Sequence, residues 1–360
     1  MNKFTIVVAV ALVATSAFAS KARLGALQNS VHLEDTRDVV SSRPDQALAH
    51  GEFAAMELSA NATGANDTTP NAEGGFVRKM GENSALGAWI GNKSNLATTS
   101  LALVGSTPKL QNPLNLYYAS KMGEMMWGLG LNYSAAEDKF AKSKSTSMGL
   151  TASVSSNAGW DAQLGLGLTG EATQADTTKY EQKSPVSLGG RYTMDTMYFY
   201  GSYAMYGGKS KNISAGTTNS EVDNNDLKIG VINSHKKDGA DFFYGVSYMS
   251  STSKIKDGAK TETTAFPVII GVEADATSWL VLRASVTQNV LMASNKVTPA
   301  SGTATTDSSM YDNTVTAAGL GLKLGKFMVD GSLAATSGNS GKFGTNDAGF
   351  LSNVGMTYMF

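Results

Sequence analysis

The chain has 360 residues, a formal net charge of −1 and no cysteine, with a mean hydropathy of −0.14. Without cysteine there is no disulfide framework, thiolate metal site or lipid anchor on an N-terminal cysteine, and the near-neutral charge gives no electrostatic case for nucleic acid. No run after the first twenty residues approaches the ~20 consecutive apolar residues of a spanning helix, so any membrane-spanning part has to be built from strands.

The first element in chain order is an export signal. Lys3 gives a positive start, Phe4 to Val13 a short apolar core, and Ala17-Phe18-Ala19 a small-residue cleavage site before Ser20, so residues 1–19 are expected to be removed. Residues 20–49 are more charged and less alternating, with Leu33-Glu34-Asp35-Thr36-Arg37-Asp38 and Pro44. They read as a periplasmic extension or as an arm inserted into a lumen. The arm is preferred because Leu24, Leu27, Val31, Leu33, Val39 and Val40 need cover.

From about residue 50 to 360 the pattern has a period of two. Short turns are predicted at Gly81 to Asn83, Lys121 to Gly123, Ser156 to Ala158, Asp195, Ser234 to Gly239, Asp275 to Thr277 and Gly325. Long polar connections alternate with them, at about Asn61 to Asn71, Lys93 to Asn112, Ala135 to Ser143, Glu171 to Lys183, Gly208 to Asp223, Ser251 to Lys260, Leu291 to Tyr311 and Ser337 to Asp347. This bookkeeping predicts an all-β fold, a transmembrane antiparallel β-barrel of about sixteen strands with short periplasmic turns and long external loops. The segments Gly51 to Ala60 and Lys93 to Val104 are its least distinct strands. Strands of ~9–11 residues are expected. Met148, Leu150, Ala152 and Val154 face lipid in one strand, Phe242, Tyr244, Val246 and Tyr248 in another, and Trp127, Tyr133, Trp160, Tyr192, Trp279, Phe327, Tyr358 and Phe360 form aromatic girdles.

With the apolar set outward, Glu57, Lys121, Glu124, Asp161, Arg191, Lys228, Glu273, Arg283, Lys323 and Asp330 fall on the inner wall; a Lys or Arg on the lipid side costs ~2–4 kcal/mol at mid-depth. Glu57, Asp161, Arg191, Lys228, Glu273, Arg283, Lys323 and Asp330 are the candidate pore-lining residues. Counted from the short turns, Arg191, Lys228, Arg283 and Asp330 make a mid-depth ring with a slight anion preference, offset by Glu57, Glu124 and Glu273. The inner wall therefore reads as polar and water-filled, with ordinary solvated side chains as the plainer alternative.

Gly165-Leu-Gly167-Leu-Thr-Gly170 matches the dinucleotide fingerprint but lies inside an alternating strand, where glycine makes room on the lumen face. His32, His50 and His235 read as surface residues without an adjacent serine and acid. No catalytic, cofactor or metal residue is assigned, and the chain is read as a non-enzyme.

A signal peptide, sixteen candidate strands, long external loops and the terminal Phe360 together resemble the bacterial outer-membrane porins. Ala22-Arg23-Leu24-Gly25, Asp35-Thr36-Arg37-Asp38 and Gly74-Gly75-Phe76-Val77-Arg78-Lys79-Met80-Gly81 resemble, more narrowly, the porin-like major outer-membrane proteins of predatory Gram-negative bacteria. The resemblance implies passive diffusion of small hydrophilic solutes and ions in an outer membrane of lipid and lipopolysaccharide. It also implies a possible homotrimer with one loop folded inward, and recognition of Phe360 and Tyr358 by the barrel-assembly machinery. A substrate-specific channel and a structural or adhesive barrel are the alternatives. No Pro-Glu-Phe-Gly-Gly constriction motif is present, so the resemblance assigns no constricting loop.

Overall fold

The computed structural model describes residues 20–59, 71–92, 100–101, 113–303, 305–307, 314–336 and 353–360. The export signal, the connections 60–70 and 337–352, and most of the strand candidate at 93–104 lie outside them.

Among the described residues, sixteen strands form one closed antiparallel sheet. They are β1 (Phe53–Ser59), β2 (Asn71–Lys79), β3 (Ser84–Ile90), β4 (Leu114–Met122), β5 (Met125–Asp138), β6 (Ser143–Ser156) and β7 (Trp160–Gln174). Next come β8 (Thr178–Gln182 and Val186–Met194), β9 (Met197–Asn212), β10 (Thr218–Lys237), β11 (Ala240–Ile255), β12 (Lys260–Asp275) and β13 (Leu280–Thr298). The last are β14 (Thr305–Asp307 and Val315–Leu324), β15 (Phe327–Thr336) and β16 (Asn353–Met359). β8 is interrupted at Pro185, which has no N–H for the ladder; the Gly167 N–H donates instead to the Pro185 carbonyl at 2.8 Å. Each strand pairs with its chain neighbour, and β1 closes on β16 from Phe53↔Met359 to Ser59↔Asn353.

The predicted alternation fixes which face points where. Met56, Leu116, Leu188, Ile229, Tyr244 and Leu282 are among the large apolar side chains exposed on the outer face, while their chain neighbours Ala55, Glu57, Tyr117, Phe243 and Arg283 are buried inward. Two-residue turns such as Asp238-Gly239, both at positive φ, match the right-handed strand twist.

Three expectations change in detail. Several polar connections at the opposite end continue the ladder instead of looping out, so β5, β6, β7 and β9 to β13 run to 14–20 residues. There the backbone groups of these polar segments are satisfied by continued ladder pairing with the neighbouring strands, and one flank of the barrel stands taller than the rest. The turn predicted over Ser234 to Gly239 shrinks to Asp238 and Gly239, because Ser234 to Lys237 stay paired with β11. The inner wall is also not wholly polar: Phe53, Ala55, Val77, Ala85, Trp89, Tyr117 and Ala119 form a buried inner cluster.

That cluster has a partner. Residues 20–50 fold inside the barrel as α1 (Lys21–Ala26), α2 (Thr36–Ser41) and a 3-10 turn (Pro44–Ala47). Val39, Val40 and Ala47 pack on the inner cluster, and Leu27 and Leu33 pack on Ile232 and Phe243. Burying each such side chain contributes roughly 1.5–3 kcal/mol. The wall is shaped to admit the arm. A Cβ at Gly128 would lie 2.2 Å from the Asp45 nitrogen, and one at Gly355 would lie 2.2 Å from the Ser20 Cβ.

Candidate functional site

The charged face of the arm meets the inward charges of the wall. Ser20 caps α1 by accepting from the Arg23 N–H, and Asp35 caps α2 in a capping box with Asp38; both helices are six residues long and rely on these caps and on the wall. Arg23 donates to both carboxylate oxygens of Glu273, each at 2.8 Å. Arg283 bridges Glu273 at 2.5 Å and Asp330 at 2.6 Å, and Ser20 Oγ donates to Asp330 at 3.0 Å. On the adjoining wall Arg37 donates to Glu73 at 2.7 Å and lies 3.8 Å from Glu57. Lys21 pairs with Glu73 through its ammonium and donates its backbone N–H to Glu57 at 3.0 Å. Trp89 Nε1 also donates to Glu73, at 2.8 Å, and the Arg37 guanidinium stands 5.4 Å from the Trp89 ring centroid.

Further round the wall Asp45 accepts from Ser153 and, at 2.6 Å, from Ser155. Asp161 binds Arg191 at 2.8 Å and lies 3.4 Å from Arg43, and Arg191 also donates to the Val31 carbonyl at 2.7 Å. Burial works against the Arg23 charge, yet the bonds and charge of Glu273, with Asp35 and Asp330, leave it held above its ordinary value. Burial pushes the Asp38 carboxyl up to about 6 against the pull of Arg43 and Arg191. His50, whose Nε2 is shut from solvent, is pushed down to about 4 by burial.

Of the residues singled out in the sequence, Glu57, Glu273, Arg283 and Asp330 meet around the arm, and Asp161 and Arg191 meet on a separate part of the wall. They face inward as the alternation predicts, but as partners of the arm and not as solvated side chains. Lys228 stands apart, 5.5 Å from the Tyr200 ring centroid. Lys323 pairs with Asp275 at 2.6 Å, while Lys121 and Glu124 are exposed beside a turn. At the seam, the Phe360 N–H donates to the Glu52 carbonyl at 3.1 Å, and the Tyr358 ring lies 4.6 Å from Phe327 and 5.3 Å from Phe360.

The surface assignment of His32 is corrected. It is buried against Phe243 and Tyr198, with Nε2 3.6 Å from Asp241. Ser234 donates to that same Asp241 at 2.6 Å. The acid thus stands between hydroxyl and imidazole, and no base touches the hydroxyl as nucleophile activation requires.

Sequence reasoning missed Arg23, Arg37, Glu73, Trp89 and Asp45 as wall-to-arm contacts. The available signal was a charged, helix-capped segment beside strands carrying inward acids.

A cavity of about 100 Å³ remains beside the arm, lined by Ser42, Asn115, Tyr117, Asn132, Thr151 and Gln163 among others, with Gly130, Gly149, Gly165 and Gly167 widening it. Asn115 Nδ2, Asn132 Oδ1 and Gln163 Oε1 are buried there without a protein partner; such groups take water or a hydrogen-bonding solute. Leu101, between β3 and β4, is buried against Ala172, Tyr180 and Val222.

No family model matches the chain, and no curated protein does. Among solved structures it is similar to a bacterial polysaccharide outer membrane secretin at 7% identity, covering 86% of this chain and 97% of that one, with a TM-score of 0.44. An in-vitro folded OmpT, an outer membrane protein of Vibrio cholerae, matches at 12% identity over 85% and 96% of the two chains, TM-score 0.37. A mutant of Rh. blastica porin matches at 11% identity over 86% and 98%, TM-score 0.34.

Proposed function

We propose that the protein is an outer-membrane channel of the porin type, passing small hydrophilic solutes and ions by diffusion through a lumen narrowed by its own N-terminal arm. The observation carrying this reading is the amide-lined cavity beside the arm inside a closed barrel whose outer face is apolar. Hydrogen-bonding groups without formal charge suit water and small neutral solutes. The short turns are assigned to the periplasm and the tall flank to the exterior, following the pattern of outer-membrane barrels. Removal of residues 1–19, residues 20–49 as a distinct unit, a homotrimer, and recognition of Phe360 by the assembly machinery belong to the same reading.

Planar-bilayer recording tests it. The wild type is expected to give small ohmic steps, and Arg23→Ala with Arg37→Ala larger ones as the arm loosens. A second reading, a structural barrel held closed, is favoured by the contacts the arm makes all round the wall. It predicts silence from the wild type.

A further inference from the structure

The ion-pair cluster that joins the arm to β1, β2, β12, β13 and β15 holds one more carboxylate than cations. Among the described residues, Asp35, Glu57, Glu73, Glu273 and Asp330 are linked by ion pairs to Lys21, Arg23, Arg37 and Arg283 alone. Five carboxylates therefore face four cations. The Oε1 atom of Glu57, a residue only 2% exposed, has no hydrogen-bond partner. An uncompensated buried charge is costly and is relieved either by a proton on one of these carboxyls or by one further cation.

Ser20 stands beside two of these carboxylates. It is 1% exposed, its Oγ donates to Asp330, and the next backbone nitrogen donates to Glu57. Ser20 is also the first residue after the Ala17-Phe18-Ala19 cleavage signature. We propose that export processing at Ala19–Ser20 creates that further cation: the new α-ammonium of Ser20 is captured between Asp330 and Glu57, and this capture locks the arm in the barrel. Water hydrolyses the peptide bond, Ala19 leaves as a carboxylate with residues 1–19, and the released Ser20 amine takes up a proton. Before cleavage that nitrogen is a neutral amide and the cluster keeps its excess negative charge. Seating of the arm is therefore coupled to maturation, whether or not the barrel conducts.

An N-terminal serine bears a free amine beside a hydroxyl, the pair that periodate cleaves to an aldehyde. Protein purified from outer membranes is treated with periodate, folded or unfolded in denaturant, and the aldehyde is captured with an aminooxy dye. The unfolded chain is expected to label, reporting a free Ser20, and the folded protein to resist by at least ~10-fold, as for a group held in a buried ion pair. Equal labelling of the two states, or no labelling of the unfolded chain, overturns the proposal.

A charge test separates capture from simple burial. Gly-Ser is inserted between Ala19 and Ser20, and docking is read by maleimide labelling of Ser30→Cys, at a position buried in the arm. The insertion is expected to speed labelling. Glu57→Gln, which removes the excess charge, should slow it in the extended chain yet speed it in the native-start chain. The same direction of change in both chains overturns capture.

Discussion

Arg23 of the arm and Glu273 of β12 are 250 residues apart in sequence and meet through two parallel hydrogen bonds of 2.8 Å. The paired geometry suits a planar guanidinium and a carboxylate, and a lysine cannot reproduce it. Arg23→Lys is expected to weaken docking of the arm moderately. Arg23→Ala, which also strips the buried Asp35 of its ion-pair partner, should cost about 3–5 kcal/mol of docking. Limited trypsin digestion reads the difference as faster cleavage after Arg37; unchanged protection of that bond in Arg23→Ala would contradict this account.

Lys228 and Arg283 should behave differently although both face inward. No carboxylate lies within ion-pair distance of Lys228 among the described residues, so its charge acts on ions within about a Debye length, ~8–10 Å at moderate salt. Lys228→Glu is expected to shift the reversal potential toward cations, less so at high salt, with conductance nearly kept. Arg283→Glu instead places a third acid against Glu273 and Asp330, releases the arm and raises conductance. Indistinguishable effects of the two changes would mean that Arg283 does not hold the arm.

Acidification should pull on the arm in two directions. Burial holds His50 down to about 4 against ~6.5 when free, so its contribution to docking is complete above pH 6.5 and is lost as pH falls toward 4. Asp38, raised to about 6 by burial, opposes docking while charged above pH 6, and that cost is relieved as pH falls toward ~3.9, the free value. Asp38→Asn should therefore leave an arm that loosens between pH 6.5 and 4, and His50→Gln one that tightens. Trypsin-independent labelling of Ser30→Cys across that range checks the sign for each variant.

Phe360 closes the seam, with its N–H on the Glu52 carbonyl and its ring under Arg78 at 5.0 Å. Deleting it removes a rung where β16 meets β1 and an aromatic that packs edge-on to Tyr358. The folded, heat-modifiable form recovered from cells should fall. An undiminished folded fraction in unboiled gel samples would show that barrel assembly does not depend on this residue.

The barrel was legible because its signal is local: with a period of two, Phe242 and Tyr244 declare the outer face and Phe243 and Gly245 the inner without reference to any other strand. The inward placement of Glu273 and Arg283 followed from the same rule. Their partners did not, because nothing in the neighbourhood of Glu273 points to Arg23. The apolar inner patch was legible only in hindsight. Trp89 and Val77 sit on the inner side of alternating strands whose other side is also apolar, so periodicity alone hides which face meets the arm. The extended flank was misread because Ser, Thr, Asn and Lys mark a loop and a solvated strand extension equally well.

The partners of α1 also order events in time. Ser20 and Arg23 precede every strand in the chain, yet they contact β12, β15 and β16, the last of them nearly at the other end of the chain. Contacts this distant in sequence form late. The arm must therefore wait, uncommitted, until the last strands are in place. An empty ring is made before it is filled.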